Sequence, residues 1–180
     1  MKVLVLPGWR DSGPQHWQSE WERLHGDRRV EQDDWLWPKR GDWMARLDEV
    51  LLAEPAPVAL VAHSLGCQLV AAWVAHTRHT ALVGAAMLVA PPDTERADTP
   101  PSVASWRPIG RRRLPFASLV VASSDDAHCE LGRARDMALD WGSEFVDAGP
   151  RGHLNAESGL GAWPEGRALL ARLIARVGAG

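Results

Sequence analysis

The amino-acid sequence predicts an α/β protein, a three-layer sandwich with a mostly parallel, doubly wound sheet of about five to six strands. Three observations carry that expectation. Short apolar runs recur along the chain, each ended by small or turn-forming residues. Amphipathic helical stretches fall between them. The 180 residues suffice for one core but not for two ordinary domains. Alternating strand and helix implies right-handed crossovers with helices on both faces of a parallel sheet. Ligands of such sheets bind beyond the C-terminal ends of the strands, so functional residues are sought there.

The elements follow in order. Lys2 to Leu6 is an apolar run stopped by Pro7-Gly8, which suits a strand buried on both faces. After Pro14, Trp17, Trp21 and Leu24 share a helical face. Arg28 to Gln32 is a weaker, more polar strand candidate, and Trp43, Leu47, Val50 and Leu51 share one face of a second helix. Val58 to Ala62 repeats the strand pattern, Gly66 to His76 reads as helix, and Leu82 to Ala90 is the next strand. Pro91 to Pro115 holds Pro91, Pro92, Pro100, Pro101, Pro108 and Pro115 with little periodicity, so it reads as an irregular excursion, either a lid or binding loop or a solvated connector. Leu119 to Ala122 is a strand, Glu130 to Trp141 a helix and Ser143 to Asp147 a second weak strand. A last helix, Pro164 to Val177, carries Leu169, Leu170, Leu173, Ile174 and Val177 on an apolar stripe. No repeat or low-complexity linker divides the chain, so residues 1–180 are expected to form one domain.

Composition narrows the function classes. Hydrophobic residues make up 46% and charged residues 24%, the balance of a globular chain rather than a disordered or fibrous one. With 20 Lys and Arg against 23 Asp and Glu, no broad cationic field exists to hold nucleic acid or an anionic membrane. Arg111-Arg112-Arg113 is expected to decorate a solvated loop. No apolar run reaches the roughly 20 residues a membrane-spanning helix needs. Two cysteines, Cys67 and Cys129, are too few for a disulfide framework, and no signal sequence opens the chain, so a reducing cytoplasm is expected. Ten Trp stand beside two Phe and no Tyr, and Trp is expected to fill core volume here as Phe does elsewhere.

The chemistry gathers at Ala62-His63-Ser64-Leu65-Gly66, directly after an apolar strand and directly before a helix. In a strand-to-helix elbow a serine oxygen is exposed by a strained turn, and small neighbours are needed because backbone packs closely on both sides. Ala62 stands where Gly is usual and adds only a methyl group. A simple helix cap is the structural alternative for Ser64. A serine hydroxyl needs a base, and His153, in the glycine-rich loop Gly149 to Asn155, lies after the last expected strand, at the catalytic edge. His16, His25, His76 and His79 are expected to be solvated on or beside helices, and His63 to point away from Ser64. An acid is needed to orient the imidazole, and Ser123-Ser124-Asp125-Asp126 follows the strand ending at Ala122. Either Asp126 or Asp125 would face His153, and the chain order Ser, Asp, His is that of the α/β-hydrolases. No spaced His/Cys ligand set and no phosphate-binding glycine loop is present, so neither metal nor organic cofactor is expected.

With these residues assembled, the sequence resembles the small serine hydrolases of the RBBP9 and YdeN type. The marks are Leu6-Pro7-Gly8-Trp9, Ser12-Gly13-Pro14, His16-Trp17, His63-Ser64-Leu65-Gly66, Ser123 to Asp126, Gly152-His153-Leu154-Asn155, Gly159-Leu160-Gly161 and Trp163-Pro164, spanning nearly the whole chain. The resemblance implies a minimal α/β-hydrolase fold. It implies Asp126 as the acid, although the Pro that usually follows is Ala127 here, which keeps Asp125 in competition. It also implies an oxyanion hole of two backbone N–H groups, from Leu65 and from the loop after the first strand, at Gly8 or Trp9.

The resulting expectation is a serine hydrolase that cleaves a small carboxylic ester or related acyl bond through Ser64, His153 and Asp126. Its partner is a small-molecule acyl substrate, with no nucleic acid and no membrane. The alternatives are transfer of the acyl group to an alcohol or thiol, and an idle hydrolase fold used for protein interaction, which a surface patch of Trp9, Trp17, Trp35 and Trp37 would favour.

Overall fold

The computed structural model describes residues 1–178. Six strands form one all-parallel sheet: β1 (Val3–Leu6), β2 (Arg28–Arg29), β3 (Val58–His63), β4 (Val83–Val89), β5 (Ala117–Ala122) and β6 (Glu144–Asp147), in the order β2-β1-β3-β4-β5-β6. The helices are α1 (Trp17–His25), α2 (Arg40–Leu52), α3 (Leu65–His76), α4 (Leu131–Trp141) and α5 (Pro164–Gly178). The strand order reverses beside β1, and the nucleophile candidate sits just beyond the neighbouring β3.

The central strands are apolar except at His63 of β3 and Ser118 of β5, because each face of the sheet is covered. Leu4, Leu6, Leu60, Ala62, Ala86, Leu88, Val120 and Ala122 point to one side and pack with α2, α3 and α4. Their sequence neighbours Val3, Val5, Ala59, Val61, Ala85, Met87, Leu119 and Val121 point to the other and pack with α1 and α5. Trp43, Trp73, Trp106 and Trp141 fill the first layer, and Trp17, Trp21 and Trp163 the second. The indole N–H groups of all of these but Trp163 find an acceptor among the described residues: that of Trp106 donates to the Pro38 carbonyl at 2.8 Å and that of Trp141 to the Gly110 carbonyl at 2.7 Å.

Three expectations are corrected. Leu24 is exposed, because it lies in the last turn of α1, which ends at His25 and is capped by a left-handed Gly26. His16 is buried, not solvated. The Pro91 to Pro115 excursion is neither structureless nor a free connector: it holds a 3-10 helix, Pro101–Trp106, and sends Val103, Trp106, Ile109 and Leu114 into the core. It is tied down by the Asp93 N–H to the His128 carbonyl at 3.0 Å and by Arg96 to the Ala127 carbonyl at 3.1 Å. Arg111 of the basic run is exposed but paired, with Asp140 at 2.7 Å and Glu95 at 3.1 Å.

Candidate active site

Ser64 stands between β3 and α3 with φ 53° and ψ −123°, a region an L-residue seldom adopts. Its side chain makes no capping bond to α3, so the turn is not explained by helix capping. Packing holds it: the Ser64 N–H donates to the Val89 carbonyl at 2.9 Å, which ties the turn to β4. Two glycines make room. A methyl group on Gly8 would lie 2.7 Å from Cβ of Ser64, and one on Gly66 would press into the Leu6 carbonyl and stand 3.0 Å from that of Pro7.

His153 arrives from the loop between β6 and α5. Its Nε2 lies 2.8 Å from Oγ of Ser64, and its Nδ1 lies 2.9 Å and 3.0 Å from the two carboxylate oxygens of Asp126. An ionised carboxylate only accepts, so Nδ1 carries the proton and Nε2 presents its lone pair to the serine hydroxyl. Oδ1 of Asp126 also accepts the N–H of His128 at 2.9 Å, and the Asp126 side chain is only 3% exposed.

Asp125 turns elsewhere. Its Oδ1 accepts the Ser123 hydroxyl and the Gly152 N–H, each at 2.7 Å, and these bonds hold its carboxyl below the usual range. Asp125 thus braces the histidine loop from outside, while Asp126 meets the imidazole.

The loop itself is strained and pinned. Gly152 and Leu154 on either side of His153 have φ of 56° and 50°. The indole N–H of Trp17 donates to the Leu154 carbonyl at 2.8 Å, and that of Trp21 to the Ala162 carbonyl at 2.7 Å. Nε2 of His63 reaches the His153 carbonyl at 2.9 Å. His63 therefore points away from the Ser64 hydroxyl, as the strand geometry predicts, yet into the loop that carries His153. Nothing in the sequence marks the Trp17 and His63 contacts, which bridge 137 and 90 positions.

Ser64, Leu65, Trp9 and His153 line a cavity of about 480 Å³, walled on the far side by Pro92, Thr99, Pro100 and Val103 of the excursion. The N–H groups of Trp9 and Leu65 have no acceptor among the described residues; that of Leu65 is a first-turn donor of α3, which no helical carbonyl can satisfy. His128 also lines the cavity, its ring 4.4 Å from that of His153. Cys67 and Cys129 are buried free thiols, and burial pushes Cys129 up to about 12. Among the described residues no cluster of three or more His, Cys, Asp or Glu could hold a metal ion, and no helix is long and apolar enough to cross a membrane. The tryptophans form no single surface patch: Trp17 is buried, Trp9 and Trp35 are partly covered, and Trp37 alone is exposed.

The comparisons with known proteins agree with this architecture. Residues 3–172 match the family described as serine hydrolase. A YdeN-like hydrolase of Pectobacterium atrosepticum is 32% identical, over 98% of this chain and 91% of that one, with a TM-score of 0.86. The ydeN gene product of B. subtilis is 20% identical, over 97% and 98%, with a TM-score of 0.73. An esterase of Rhodococcus is 16% identical, over 96% and 91%, with a TM-score of 0.69, which speaks for the fold alone. No curated protein sequence matches the chain. The α/β-hydrolase sheet, the 32% identity over nearly the whole chain and the match over residues 3–172 together establish that this chain belongs to the serine hydrolase family.

Proposed function

We propose that this protein hydrolyses small carboxylic esters through an acyl-enzyme on Ser64, with His153 as general base and acid and Asp126 as the residue that orients it. The observation that carries the reading is the unbroken hydrogen-bonded chain from Ser64 through His153 to Asp126 beneath a cavity with two unpartnered backbone N–H groups. Oγ of Ser64 attacks the ester carbonyl while Nε2 of His153 takes its proton. The carbonyl oxygen gains charge within reach of the N–H groups of Leu65 and Trp9. Such donors are commonly worth about 3 kcal/mol each, because they are oriented before charge develops. The imidazolium then protonates the departing alkoxide, and water repeats the sequence in reverse. A volume of about 480 Å³ suits a small ligand, which favours short acyl groups.

The test is labelling with a fluorophosphonate, followed by intact mass, together with hydrolysis of p-nitrophenyl esters of increasing acyl length. Wild type is expected to gain one phosphonyl group and to prefer short acyl chains, and Ser64→Ala to do neither. Folded wild type that is neither labelled nor active on any ester of the series would sink this reading and favour an interaction role.

A further inference from the structure

We infer that His63 is a positioning residue for the proposed triad: its imidazole N–H, donated to the His153 backbone carbonyl, holds the base at the nucleophile. The inference rests on the reading of Ser64 and His153 above, and it goes beyond that reading by giving a task to a histidine outside the triad. Three observations support it.

The first is connectivity. His63 is the last residue of β3 and adjoins Ser64 in the chain, and its Nε2 stands 2.9 Å from the carbonyl oxygen of His153. A carbonyl only accepts, so Nε2 must carry the hydrogen. Nucleophile and base are thus joined twice, once directly by the 2.8 Å contact of Oγ with Nε2, and once behind the site through the rigid strand.

The second is that the loop needs such a restraint. Left-handed backbone at Leu154, directly after His153, costs free energy that surrounding contacts must offset. The carbonyls of His153 and Leu154 are both captured by ring N–H donors from other elements, His63 on β3 and Trp17 on α1. Trp17 anchors the neighbouring residue, whereas His63 holds the peptide of the base itself.

The third is charge. His63 is 5% exposed, and burial, followed by the neighbouring His16 and His153, drives its pKa well below the ordinary imidazole range. The titratable groups that face it are His16 from the start of α1, with its ring 4.6 Å away, His153, 5.0 Å away, and His128 beyond. A neutral N–H donor at this place adds no repulsion when His153 becomes cationic, which a Lys or Arg donor would.

The test uses three variants of the full chain. His63→Gln can present an N–H near the position of Nε2, His63→Phe keeps the ring volume without a donor, and His63→Asn keeps an amide too short to reach. Phe and Asn are expected to lower kcat and the fluorophosphonate labelling rate by roughly ten- to a hundredfold with KM within about threefold, as a displaced base requires. Gln is expected to recover most of that loss. Hydrogen exchange of residues 149–158 should quicken in Phe and Asn and stay near wild type in Gln, a readout that needs no chemistry. Should His63→Phe fail to fold, the Asn and Gln pair decides. Equal rates and equal exchange in all three variants and wild type would overturn the inference, and so would a Gln variant as slow as Phe, since shape rather than the donor would then matter. Wild type that is neither labelled nor active on any ester would instead overturn the acyl-transfer reading, and the exchange measurement would still decide whether His63 holds the loop.

Discussion

Replacing Asp126 by Asn alters one atom of the site, and the structure says which way the new amide must face. In the native protein Oδ1 accepts the His128 N–H at 2.9 Å, while Oδ2 lies 2.9 Å from Nδ1 of His153. A backbone N–H cannot turn away, so the Asn oxygen takes the His128 side and the NH2 group faces Nδ1. Two donors cannot share that contact, and the oxygen on the other side, 3.0 Å from Nδ1, is already engaged by the His128 N–H and is the weaker acceptor left for it. The proton therefore leaves Nδ1 for Nε2, the tautomer that cannot accept the Ser64 proton. A second loss adds to the first, because the transition-state imidazolium is left without its counter-ion. A unit pair at about 4 Å and an effective dielectric constant near 20 is worth about 4 kcal/mol, or roughly three decades in rate. Expected is a fall in kcat of about 10³- to 10⁴-fold on a p-nitrophenyl ester, with KM changed by less than about threefold because the carboxylate does not line the cavity. The assay is steady-state kinetics from pH 6 to 9, with a thermal melt to show that the buried side chain is still accommodated. A loss below about tenfold in folded protein would refute the assignment, and so would Asp125→Asn costing more than Asp126→Asn.

Two further outcomes follow from packing and from titration. Gly66→Ala pushes a methyl into the carbonyls of Leu6 and Pro7 at the end of β1, and backbone cannot yield as a side chain does. Overpacking of this kind costs about 2–3 kcal/mol, so the melting temperature should drop by roughly 5–10 °C; an unchanged melt would contradict the close approach of α3 to β1. His16 caps α1 through Nδ1 and is buried neutral, its pKa lowered to about 3 by burial first and then by Arg29 and His153. The unfolded chain titrates near 6.5, so between these values it binds a proton the folded chain does not, and the stability present above about pH 6.5 is lost as pH falls towards 3. His16→Asn keeps a capping oxygen and removes that titration. Its urea-unfolding free energy should therefore start lower but fall by about 2.5 kcal/mol less between pH 7 and pH 4.5 than that of wild type; parallel pH curves would refute the buried neutral state.

What the sequence by itself determined is the part of the molecule written in local pattern. Both faces of the sheet are covered, so β1, β3, β4 and β5 are apolar but for His63 and Ser118, and the period of the helices placed Trp17 and Trp21, or Trp43 and Leu47, on one face. The elbow was legible for the same reason: a strained turn between strand and helix tolerates only small neighbours, and Ala62 and Gly66 flank Ser64 within five residues. The weak strands were the polar ones at the sheet edges, where β2 shrinks to two residues because the chain leaves the sheet after Val30. Only the tertiary structure decided what depends on direction. Asp125 and Asp126 are chemically the same and adjacent, and which one meets His153 is set by loop geometry that no spacing encodes. The burial of His16, the turn of His63 towards the His153 carbonyl and the role of the proline-rich excursion as a cavity wall likewise arise where segments far apart in the chain meet. Periodicity reports which face of an element is covered; it carries no information about which distant atom does the covering.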